Sequence, residues 1–214
     1  MRGNVEEGRE TYTHGTFING FHETWPIRHA EEAFGFARTG QTIVNVPDNK
    51  TIKKLYVDDE PMLLSVADLE SYERSLDFRD GLLRRDIVWR TPGGKRVKVS
   101  STRMVSFNQR HLAIMTMEVT MLDAEAPVVI SSQTLNRQDG RDEYHVRSHA
   151  MGTAADPRKG AAFEARVLEP QSHWWQDQRI ILGYRCANSK MTLAVGVDHQ
   201  IYTDNDYRIF HQRR

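Results

Sequence analysis

Apolar and polar positions alternate with a period of two through much of the chain. In "DIVWRTPGGKRVKVSS" (86–101), Ile87 and Trp89 share one face, a Pro-Gly-Gly turn follows, and Val97 and Val99 alternate with Lys98 and Ser100. Alternation on both flanks of a glycine turn predicts a β-hairpin. "HLAIMTMEVTML" (111–122) is almost continuously apolar, and its β-branched Thr116, Val119 and Thr120 predict a strand buried on both faces. "APVVISSQTL" (126–135) predicts a strand that Pro127 opens, away from a central position. "RIILGYRC" (179–186) and "MTLAVGVDH" (191–199) repeat the pattern.

Helical signals are few. "HAEEAFGFARTG" (29–40) allows a short helix closed by Gly40. "SVADLESYERSLD" (65–77) spaces Val66, Leu69, Tyr72 and Leu76 as a helix would, although a strand–turn–strand accommodates them almost as well. Gly152, Asp156, Pro157 and Gly160 mark 149–162 as a loop. Many strands separated by turns in 214 residues predict an all-β fold: a large antiparallel β-sandwich with at most one or two short helices.

Composition narrows the function classes. Apolar residues make up 39% of the chain, enough for a packed core, and 29 basic residues balance 29 acidic ones. That neutrality argues against nucleic acid as a partner. The local run Arg84, Arg85, Lys95, Arg96, Lys98 and Arg103 is expected to form a solvated sheet face. Cys186 is the single cysteine, which rules out an intrachain disulfide and a thiolate metal cluster and fits a reducing, cytoplasmic location. No apolar run reaches the roughly 20 residues of a membrane-spanning helix, and "MRGNVEEG" has no apolar signal core.

Four constellations are candidates for chemistry. Arg2, Glu6 and Glu7 place carboxylates beside a guanidinium, but neighbours on a strand face opposite ways, so a salt-bridged loop is expected. "GTFINGFHETWPI" (15–27) concentrates Asn19, His22, Glu23 and Trp25, without the HExxH spacing of a zinc site. Trp25 before Pro26 offers a flat apolar surface to a sugar ring or to another domain. His145 and His149 are four residues apart but fall where a strand runs into a loop, so no metal site is expected. "HWWQ" (173–176) points Trp174 and Trp175 to opposite faces, one for core packing and one available for stacking on carbohydrate. Nothing assembles a nucleophile, a base and an orienting group. "TPGGK" lacks phosphate-loop spacing and a following helix.

"MRGNVEEG", "GTFINGFHETWPI", "EEAFGFARTGQTIVNVPD", "KLYVDDEP", "RSLDFRDGLLRRDIVWRTPGGKRVKV" and "SSQTLNRQDG" together resemble the N-terminal domain of glycoside hydrolase family 65. That family comprises maltose, trehalose, kojibiose and nigerose phosphorylases and related α-glucoside hydrolases. The resemblance runs from Arg2 to about Asn136 and more loosely to the end. It implies a β-supersandwich spanning 1–214 and excised from a larger enzyme, whose (α/α)6 barrel carries the catalytic glutamate. No catalytic residue and no cofactor is then expected here, with inorganic phosphate the co-substrate of the parent enzyme if it is a phosphorylase. Asn19, His22, Glu23, Trp25, Arg2 and Glu6 become candidates for shaping substrate access or the domain interface. The expected partners are the barrel of the same chain, its α-glucoside substrate and a second copy in a homodimer. The alternative is a free-standing carbohydrate-binding module that stacks sugars on Trp174 or Trp175.

Overall fold

The structure is a computed structural model and describes residues 15–27, 35–47, 52–134, 136 and 167–211. Its described part is all-β: strands alternate with turns, no helix occurs, and so no helix is long and apolar enough to cross a membrane. The chain forms two compact units, Met1–Phe17 with Asn45–His145, and Ile18–Val44 with Val146–Arg214.

The first unit is a sandwich of two antiparallel sheets. One has strand order β5-β6-β7-β8, from β5 (Asp68–Asp77), β6 (Leu82–Arg90), β7 (Arg96–Val105) and β8 (Ala113–Met121). The other has order β4-β3-β9, from β3 (Ile52–Val57), β4 (Glu60–Pro61) and β9 (Val128–Ser132). The expected hairpin is β6–β7. Pro92 presets the turn, the Gly94 amide donates to the Thr91 carbonyl at 2.8 Å, and Gly94 adopts φ +85°, which a side chain would strain. Cross-strand pairs Ile87–Val99 and Trp89–Val97 point inward. They meet Leu55 and Val57 of the facing sheet, and Met62 just after β4, in one buried cluster. Asp58 and Asp59, both at positive φ, make the two-residue turn between β3 and β4.

Four expectations change. Residues 68–77 form neither a helix nor a strand–turn–strand but the single ten-residue strand β5, after a turn at 64–66. β8 is an edge strand with alternating cover: Met115, Met117, Val119 and Met121 turn partly inward while Ile114, Thr116, Glu118 and Thr120 face water. Of the basic run, Arg84 and Lys98 are solvated, but Arg85 is buried, because it shares the inward register of Ile87 and Trp89. Gly40 does not close a helix. It lies inside strand β2 (Thr39–Ile43), and the left-handed glycine nearby is Gly35. Pro127 does precede β9, and β9 is an edge strand. The expected loop at 149–162 and residues 28–34 lie outside the described residues.

The second unit holds the ladder of β1 (His22–Pro26) with β2, and a three-stranded meander β10 (Leu168–Gln176), β11 (Arg179–Cys186) and β12 (Thr192–Asp198). Phe21, Val44, Leu168, Tyr184 and Cys186 are its buried apolar side chains.

Candidate functional site

The densest chemistry in the sequence, 15–27, folds into a turn and then a strand. Within it, Ile18–Phe21 is a four-residue turn closed by the Phe21 amide on the Ile18 carbonyl at 3.1 Å. Gly20 sits third with φ +81°, the position where such a turn demands glycine. Asn19 is left exposed at the tip. His22 turns back, Nδ1 donating to the Gly20 carbonyl at 3.0 Å.

Glu23 is buried, at 5% exposure, and its carboxylate is fully used. Oε1 accepts from the Thr24 amide at 2.8 Å and the Ser189 amide at 2.6 Å, and Oε2 accepts from the Asn188 amide at 3.0 Å. Two further bonds run beside it: Ser189 Oγ donates to the His22 carbonyl at 2.8 Å, and Asn188 Nδ2 to the Thr24 carbonyl at 3.1 Å. Glu23 therefore clamps the β1–β2 ladder to the turn joining β11 and β12. A buried carboxylate is tolerated only with such compensation, and main-chain N–H groups provide it without a mobile counter-ion. Its oxygens are engaged inside the fold by these main-chain donors.

Trp25 is half-buried and committed to its own ladder. Nε1 donates to Thr42 Oγ1 at 2.9 Å, and the ring lies over Gly40, its direct cross-strand partner. A Cβ at Gly40 would meet the ring at 2.5 Å, so the close approach requires glycine. The ladder thus fixes the orientation of the Trp25 ring.

β10 departs further from expectation. Neither tryptophan packs in the core: Trp174 and Trp175 are both about half exposed, because β10 is an edge strand whose residues after Leu168 are all exposed. Trp175 stacks on His173, two residues back on the same face, with ring centroids 5.9 Å apart and planes inclined by 7°.

Two other titratable groups among the described residues are shifted. Burial pushes the Cys186 thiol up, and the nearby Glu23 carboxylate adds to this while a hydrogen bond with Ser189 opposes it. Such a thiol is a poor nucleophile. In the first unit, hydrogen bonding from Arg96 holds the Glu70 carboxyl below the usual range, assisted by the charges of Arg96 and Arg90. No group of three metal-ligating side chains occurs among the described residues. Arg2, Glu6, Glu7, His145 and His149 lie outside them. Sequence reading missed Asn188 and Ser189. They are 165 and 166 residues from Glu23, and no local pattern announces a main-chain donor.

Comparison with known proteins finds relatives of the chain. The sequence profile of "Glycosyl hydrolase family 65, N-terminal domain" matches residues 1–213. An uncharacterized glycosyl hydrolase of Mycobacterium tuberculosis H37Rv is 35% identical over 201 residues, 94% of this chain and 24% of its own length. An α,α-trehalose phosphorylase of Thermoanaerobacter brockii is 31% identical over 213 residues, 98% of this chain and 26% of its own. A kojibiose phosphorylase of Escherichia coli K12 is 32% identical over 152 residues, 69% of this chain and 18% of its own. The chain therefore spans about a quarter of the length of the curated relatives it matches most fully. A solved structure from the human microbiome, provisionally assigned as a kojibiose phosphorylase, shares the fold. It has a TM-score of 0.65 and 17% identity over 92% of this chain and 24% of its own.

Proposed function

The chain belongs to glycosyl hydrolase family 65, as the family's N-terminal domain, and on that premise we propose that it serves an enzyme that phosphorolyses or hydrolyses α-glucosidic disaccharides. It works there as one non-catalytic domain, supporting the catalytic barrel of the same polypeptide, substrate access and assembly in the cytoplasm. The observation that carries this reading is the match over residues 1–213, joined to relatives four times longer that bear the names of trehalose and kojibiose phosphorylases. The clamp at Glu23 supports it. Breaking a glycosidic bond needs a carboxyl group aimed at the leaving oxygen, and the one buried glutamate among the described residues spends its oxygens on three amides. The proton donor, and the phosphate or water that attacks, then belong to the barrel.

The test is direct. The 214-residue chain is incubated with inorganic phosphate and maltose, trehalose or kojibiose, and release of glucose or glucose 1-phosphate is followed. No turnover is expected; turnover by this chain alone overturns the reading.

A free-standing carbohydrate-binding module is the second reading, favoured by the exposure of Trp174 and Trp175. Titration with glucan oligosaccharides, followed by tryptophan fluorescence, separates the two. A saturable change abolished by Trp174→Ala or Trp175→Ala supports the module, and a flat titration removes it.

A further inference from the structure

After β12 the second unit continues as an extended segment, 199–211, that forms no strand and is exposed at nearly every position. Its root is fixed: His199 Nδ1 donates to the Gln178 carbonyl at 2.9 Å, tying it to the β10–β11 turn. Local bonds shape it further on, Tyr202 Oη to Gln200 Oε1 at 2.6 Å and the Asn205 amide to Thr203 Oγ1 at 3.1 Å. Yet it carries Ile201, Tyr202, Tyr207, Ile209 and Phe210, with Tyr202 and Phe210 each 86% exposed. A covered aromatic side chain buries about 150 Å² or more. Three aromatics and two isoleucines along ten residues therefore leave several hundred Å² of apolar surface in one stretch, the size at which a patch marks an interaction site. Asp204, Asp206 and Arg208 are the formal charges of the stretch, so its charge is close to balanced and its complement is apolar rather than highly charged.

We propose that residues 199–211 are a docking strap, laid against an apolar face of the polypeptide that follows this domain in the parent enzyme. This rests on the reading of the chain as the N-terminal domain of a longer protein. The occupant is chosen on length: relatives matched over nearly all of this chain have about three-quarters of their residues outside the matched part, the matched family model is an N-terminal domain, and the segment is the last described part of this domain. The strap holds the domain through side-chain burial, Tyr202 and Phe210 foremost.

Limited trypsin digestion of the full-length enzyme tests this at the bond after Arg208, with products identified by mass spectrometry. A synthetic peptide of residues 199–214 gives the unprotected rate. Docking predicts cleavage slower than in the peptide by about tenfold or more, independent of enzyme concentration. Tyr202→Asp with Phe210→Asp is expected to return most of that rate, while Asn205→Ala leaves protection in place. Cleavage at the peptide rate overturns the proposal. Protection that the double substitution leaves intact overturns the role given to the two aromatics. Protection that rises with protein concentration assigns the surface to a second copy and overturns the occupant. Failure of the underlying reading looks different: the reading frame would end without a following domain, whatever trypsin does.

Discussion

Removing the Glu23 carboxylate is the sharpest test of the clamp. Three main-chain amides donate to it, at 2.6, 2.8 and 3.0 Å, and it is 5% exposed. A hydrogen bond to a charged group contributes about 1.5–3 kcal/mol, and a buried donor left unsatisfied costs a comparable amount. The three are not independent, since the Asn188 and Ser189 amides belong to one turn, so the total falls well short of their sum. Glu23→Ala is therefore expected to destabilise the second unit by roughly 3–4 kcal/mol, a large part of the 5–15 kcal/mol typical of a domain. Glu23→Gln keeps one acceptor but turns an NH2 group toward a donor, and should cost roughly 2 kcal/mol. Urea unfolding measures the free energies, and amide hydrogen exchange at Asn188 and Ser189 locates the damage. A loss under about 1 kcal/mol for Glu23→Ala, with both amides still protected, refutes the clamp. Activity of the full-length enzyme gives an independent check. A structural Glu23 lowers the yield of folded enzyme and leaves the turnover of each folded molecule nearly unchanged. A thousandfold loss of turnover in a stably folded Glu23→Gln enzyme would make it a proton donor after all.

Other expectations concern smaller features. Gly40→Ala forces a methyl group to 2.5 Å from the Trp25 ring, costing about 1–3 kcal/mol as overpacking; near-ultraviolet circular dichroism should register the displaced indole, and Trp25→Ala in the same background should remove most of the penalty. Glu70 has a depressed folded pKa, so its contribution is present above the ordinary glutamate range and disappears as pH falls through the lower folded value. The stability difference between the wild type and Glu70→Gln should accordingly shrink from about pH 5 to pH 3. It should also shrink in 1 M salt, because Glu70, Arg90 and Arg96 lie in contact with solvent. A difference that grows on acidification contradicts the assignment.

The β6–β7 hairpin was legible because two independent signals agree there: strict alternation of Ile87, Trp89, Val97 and Val99, and turn chemistry at Pro92–Gly94. β5 was ambiguous for a reason visible in its register. A bulge between Leu69 and Ser71 lets Leu69 pair with Trp89 and Tyr72 pair with Ile87. Two residues three apart thereby pair with the inward-facing residues of β6, although Tyr72 stays 45% exposed, and a strand acquires helix-like spacing. β8 misled by composition. Methionines and Val119 mark its inward face, but outward Ile114 blurs the alternation that Thr116, Glu118 and Thr120 would otherwise display. Arg85 was misplaced because counting charges ignores register, and its register is that of the core.

The stretch richest in chemical groups shows how register distributes residue types. In β1, alternation sends Glu23 inward and leaves His22 and Thr24 half covered on the other side, so adjacent polar groups cannot converge on one reacting atom. Burial then obliges Glu23 to find donors, and the nearest supply besides its own neighbour is a turn 165 residues away, shaped by Lys190 at φ +61°. Trp25 finds Gly40 and Thr42 across the ladder in the same way. Each of these groups is satisfied by the fold itself. Exposed apolar surface lies elsewhere, and along 199–211 five large side chains are 40–86% exposed in one short stretch. Surface of that kind can be covered by packing against another face, and Phe210, 86% exposed, is where such cover is open to measurement.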